Sequence, residues 1–89
     1  MEMTNFPVDV ISVCSARGEI RPLRIRMEME DHRFLRVDVD EIISIKNIQY
    51  KGIESQIFLC RATAEEKRYI LELKYTIRFH CWSLMRKVC

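Results

Sequence analysis

Strict two-residue alternation constrains this chain most. Leu23, Ile25, Met27 and Met29 alternate with Arg24, Arg26, Glu28 and Glu30. A few residues on, Leu35, Val37 and Val39 alternate with Arg36, Asp38 and Asp40. Period two marks strands with one buried face. Folding the two runs about Asp31-His32-Arg33 sets Glu30 opposite Phe34. Met29 then faces Leu35, Met27 faces Val37 and Ile25 faces Val39. On the other face Glu28 meets Arg36, Arg26 meets Asp38 and Arg24 meets Asp40. Opposite charges across a ladder favour that register, and a slip by one residue would turn charges into the core.

The stretch RYILELKYTIRFHCWSLMRK, residues 68–87, is harder to place. Thr63-Ala64-Glu65-Glu66 matches a capping box, and Ile70, Leu73, Ile77, Cys81 and Leu84 fall at helical spacing. Against a helix, Tyr69, Leu71, Leu73, Tyr75, Ile77, Phe79 and Cys81 alternate without a failure, and their types suit strands. One straight strand of about fifteen residues would run to about 50 Å, well beyond the usual strand. The spacing therefore predicts two strands, 67–75 and 79–85, with a break between Tyr75 and Arg78. A hairpin turning at Glu65-Glu66 pairs Phe58 with Leu73, Cys60 with Leu71 and Ala62 with Tyr69. That turn lacks the Gly or Asn a tight hairpin favours, so a longer loop is the easier solution.

Residues 8–14 read as a first strand, and 56–62, apolar on both faces, as a central one. Gly18, Pro22 and Gly52 punctuate turns. Residues 41–50 suit either a strand bulged near Lys46-Asn47 or a short helical turn at 40–45. With five or six short strands and no convincing long helix, the expected fold is all-β. It is a small, mostly antiparallel curled barrel, SH3-like or similar, and closure removes its exposed edges.

The 89 residues predict one domain spanning 1–89, with 48% apolar and 31% charged side chains. A chain this short buries a modest share of its surface, so oligomerisation is a natural supplement. The formal charge of +2 is too small to imply nucleic acid or membrane by itself. Neither a secretory leader nor a run of eighteen apolar residues is present, which makes a cytoplasmic location without membrane contact the expectation. Cys14, Cys60, Cys81 and Cys89 are widely spaced and read as reduced, buried or terminal thiols.

The signals GEIRPLRI at 18–25, FLCR at 58–61, RYILELKY at 68–75 and CWSL at 81–84 occur in an order that resembles a family of short, uncharacterised all-β proteins of Firmicutes, clostridia especially. At fewer positions the chain is similar to small β domains found beside error-prone DNA polymerases in bacterial mutagenesis cassettes. The resemblance implies a barrel with a break before Trp82 and carries no catalytic motif. Relatives place Gly or Asn in the turn after the fourth strand, where this chain has Ala-Glu-Glu-Lys.

Catalytic chemistry finds little to use. His32 falls in a hairpin loop, where solvation is the ordinary state. His80 and Cys81 are neighbours on a strand and point to opposite faces, which disfavours a dyad. Cys60 and Cys81 suit small buried apolar positions. Glu28/Glu30 and Asp38/Asp40 could serve a metal or a glycosidic bond, but arginine partners for all except Glu30 make them a ladder. Gly18 and Gly52 are isolated and form no phosphate loop. A metal site joining distant cysteines to His80 or His32 is not expected. The reading is therefore no catalytic residue, no cofactor and no metal, and the chain is not an enzyme.

What remains is a candidate partner surface of Arg78, His80, Trp82, Arg86 and Lys87. Simple alternation puts Trp82 on the outer face, yet a bulge at a barrel corner swaps faces. A core tryptophan is the expectation. The expected role is an interaction or accessory module that binds a protein partner or self-associates. The alternative is a barrel that binds single-stranded nucleic acid in DNA repair or mutagenesis.

Overall fold

The computed structural model describes residues 5–88; Cys89 lies outside them. Six strands follow one another: β1 Phe6–Cys14, β2 Ile20–Glu28, β3 Phe34–Tyr50, β4 Ile53–Ala64, β5 Lys67–Thr76 and β6 Cys81–Lys87. Each pairs antiparallel with the next, and β1 closes on β6 to complete a barrel. The alternating residues make this fold. Ile25, Met27, Val37, Phe58, Cys60, Ala62, Leu71, Leu73, Tyr75 and Leu84 fill its interior, while their neighbours along each strand face water.

The break after β5 falls where the alternation outgrows a strand. Ile77–Phe79 form a single 3-10 turn, and His80 follows in the left-handed region at φ 53°. β6 therefore starts at Cys81. Trp82 points inward against Tyr75 and Phe58, with ring centroids 4.8 and 5.5 Å away. The corner exchanges the faces, so Cys81 is exposed and not a core thiol.

The β4–β5 hairpin has the expected register: Phe58 opposite Leu73, Cys60 opposite Leu71, Ala62 opposite Tyr69. No longer loop relieves its turn. Ala64 pairs with Lys67, leaving Glu65 and Glu66 as a two-residue turn at φ 50° and 66°. Right-handed strand twist demands that mirror-image turn, and the flanking core contacts hold two glutamates in a conformation better suited to Asn-Gly. Lys51 and Gly52 make the same kind of turn between β3 and β4.

The β2–β3 hairpin departs from expectation by two residues. Glu28 pairs with Phe34, Met27 with Leu35, Ile25 with Val37 and Arg24 with Asp38. A shift of two keeps every side chain on its face, so hydrophobic pattern cannot detect it. Turn chemistry decides. The loop is Glu30-Asp31-His32, closed by Met29 N–H donating to Arg33 O at 2.7 Å, with His32 at φ 66°. Three-residue hairpin loops end on a left-handed residue, a place histidine takes more readily than Arg33 would. The Ser15–Glu19 loop between β1 and β2 is built alike, with Gly18 at φ 86°.

The charge ladder changes accordingly. Arg24 Nε donates to Asp38 at 2.9 Å, and Arg36 Nε reaches the same carboxylate at 3.3 Å. Arg26, now opposite Arg36, pairs instead with Asp9 of β1 at 2.6 Å. Asp40 accepts from the Thr63 hydroxyl at 2.5 Å.

Residues 41–50 belong wholly to β3, so the helical turn is excluded. The bulges lie at Asp40 and Ile43, between Val39/Glu41 and Ile42/Ser44, earlier than Lys46-Asn47. Pro22 sits inside β2 and is buried, not a turn residue. It removes one donor from this part of β2, and Leu23 beside it is bulged out of the β1 ladder.

Candidate interaction edge

The structure does not bring Arg78, His80, Trp82, Arg86 and Lys87 together on one face. Trp82 is only 8% exposed and belongs to the core. Arg78 stacks its guanidinium on Phe79 at 5.8 Å, and His80 Nδ1 lies 3.1 Å from the Tyr75 hydroxyl, both beside the 3-10 turn. Arg86 and Lys87 lie at the far end of β6, roughly 17 Å along the strand at about 3.3 Å per residue. There Arg86 Nε donates to Glu72 at 3.2 Å, and Lys87 lies over the Tyr69 ring at 5.2 Å.

The residues considered for chemistry are occupied structurally. His32 pairs with Glu28 at 3.1 Å in the open loop. Burial pushes the Cys60 thiol up to about 12, which keeps it protonated at neutral pH. The hydrogen bond from Arg24 first, then that from Arg36, holds the Asp38 carboxyl below its ordinary 3.8. Among the described residues, no three His, Cys, Asp or Glu side chains gather as a metal site would require. No helix among them is long and apolar enough to cross a membrane.

A different feature stands out, and it follows from strand length. β3 has 17 residues, while its neighbour β2 has 9. The β2–β3 ladder runs only between Arg24↔Asp38 and Glu28↔Phe34. From Val39 to Tyr50, β3 pairs with β4 alone. Its second edge is open over that length, with unsatisfied backbone donors and acceptors for another strand to meet. Apolar side chains mark the same stretch: Ile43 is 41% exposed, Ile45 49% and Tyr50 69%.

Between the open parts of β2 and β3 lies a cleft of about 400 Å³. Ile20 and Arg21 line it from β2, Ile45 and Gln56 from β3 and β4, and the β1–β2 loop supplies Arg17 and Glu19. Gln56 Nε2 donates to Asn47 Oδ1 at 3.2 Å, which ties β4 to β3 at the floor of the overhang. A second open edge runs along β1. Its pairing with β6 stops at Val8↔Trp82, and Asp9–Cys14 pair with β2 alone.

Sequence reasoning missed this edge. The signal was a continuous β-prone run of seventeen residues opposite a much shorter alternating one. Such a pair must leave an overhang once both are strands.

No protein-family model, no curated protein and no solved structure matches this chain.

Proposed function

We propose that this protein is an interaction module that recruits another polypeptide strand along the free edge of β3. The observation that supports it is the unpaired stretch of β3 from Val39 to Tyr50, with Ile43, Ile45 and Tyr50 exposed along it. Strand addition draws affinity from main-chain hydrogen bonds and specificity from alternate side chains, and it needs no pocket. In this reading the chain is cytoplasmic, carries no cofactor and catalyses no reaction. Its barrel braces the edge: β4 is paired on both sides from Ser55 to Thr63, so β3 rests on a well-held neighbour.

The test is a pull-down with the tagged chain, with and without nuclease, comparing wild type with Ile45→Lys. A polypeptide that survives nuclease and is lost with Ile45→Lys supports strand recruitment. A bound fraction removed by nuclease favours the alternative, single-stranded nucleic acid. That alternative has lost Trp82 to the core, and Phe79 is the exposed ring left beside His80.

A further inference from the structure

Resting on that reading, we propose that the strand recruited by β3 is β3 of a second copy of this chain, laid antiparallel about a twofold axis. The free edge is graded in charge. Asp40 and Glu41 stand at its start, Lys46 in its second half and Lys51 in the turn just beyond it, and Ile43 and Ile45 lie between the acids and the lysines. An antiparallel copy reverses the gradient. The acidic half of each strand then faces the basic half of its mate, and the isoleucines meet near the axis. A parallel copy would set acid against acid and base against base.

A twofold contact is isologous, so each favourable pairing occurs twice and the contact closes without growing into a fibre. The midpoint of the four charges falls at Ser44–Ile45, within the exposed apolar part. Lys46 and Lys51 make no ion pair with the described acids; Lys51 lies over the exposed Tyr50 ring at 5.3 Å, a contact it can leave to reach across. The other open edge offers no such match. From Asp9 to Cys14, β1 carries a single charge and so no gradient to reverse, whereas β3 keeps its gradient although Glu41 lies 2.9 Å from Arg61 on β4.

The test measures mass by light scattering and sedimentation over a range of concentration. Wild type is expected as a dimer. Lys46→Glu/Lys51→Glu makes the edge acidic throughout, and Asp40→Lys/Glu41→Lys makes it basic throughout. Each variant alone is expected to be a monomer at concentrations where wild type is dimeric, and an equimolar mixture of the two is expected to form a heterodimer. Emission from Trp82 reports that each variant is folded. Lys46→Glu/Lys51→Glu breaks no ion pair among the described residues, whereas Asp40→Lys/Glu41→Lys breaks that of Glu41 with Arg61, so the first serves if the second does not fold. Its conversion to monomer, reversed by raised salt, is then the supporting result.

Wild type that stays monomeric at about 1 mM chain overturns the inference, since weaker self-affinity would be negligible. A dimer that persists through both variants also overturns it, by placing the contact elsewhere. A monomer that still captures another polypeptide in an Ile45-dependent way sinks the second copy and leaves strand recruitment standing. A monomer whose captures ignore Ile45→Lys sinks both.

Discussion

The turn at Glu65-Glu66 gives the sharpest prediction. Both residues have positive φ, at 50° and 66°, and neither is glycine. The left-handed region costs a residue with a Cβ about 1–2 kcal/mol. Glycine at 66 removes that cost and adds back about 0.5–1 kcal/mol of backbone entropy. Asparagine at 65 tolerates the region better than glutamate and contributes a few tenths of a kcal/mol more, roughly, from its local hydrogen bonding. Glu65→Asn/Glu66→Gly should therefore stabilise the protein by about 1 kcal/mol, raising the Tm by about 4–8 °C for a domain of this size. Glu65→Gln/Glu66→Gln makes the same charge change without the backbone relief, and should move the Tm little. The reciprocal substitution is Gly52→Ala, at φ 80° in the matching turn. A Cβ there would meet nothing within 4 Å, so its cost is backbone strain alone. Urea and thermal unfolding followed by the single tryptophan read all three. An Asn-Gly variant no more stable than the Gln-Gln control would refute the two-residue turn and return the hairpin to a longer loop.

Trp82→Ala should cost about 3–5 kcal/mol and unfold so small a barrel, whereas wild-type emission should be blue-shifted and shielded from iodide; water-like emission, strongly quenched, would contradict the packing against Tyr75 and Phe58. Asp38→Arg should destabilise the protein through Arg24 and Arg36, and adding Arg24→Asp should recover part of the loss while Arg26→Asp should not; rescue by Arg26→Asp would restore the register that charges alone suggested. The lowered Asp38 pKa means its contribution is present above its ordinary 3.8 and is lost as pH falls through the folded value, so Arg24→Gln should flatten the acid limb of stability. At the other extreme, the unfolded chain releases the Cys60 proton from about 9.0 while the folded chain holds it to about 12. Stability should fall as pH rises between those values, and Cys60→Ala should lessen the fall; under native conditions Cys14 and Cys81 should alkylate well before Cys60.

Alternation determined much of this protein. It put Phe58, Cys60 and Ala62 on one face with Leu73, Leu71 and Tyr69, and placing the turn at Glu65-Glu66 then chose among registers two residues apart. It also required the break before β6, because no strand in a barrel this small can continue from Lys67 to Lys87. Tertiary structure decided what period two cannot see. A shift of two residues preserves both faces of a hairpin, so the pairing of Arg26 with Asp9 and of Arg24 with Asp38 waited on loop geometry and on a third strand. The inward turn of Trp82 depended on the left-handed corner at His80, which resets parity. The open edge of β3 is the plainest case. Whether a strand has a neighbour on each side is a property of the closed sheet and of where its partner ends, and no residue in Val39–Tyr50 encodes it alone.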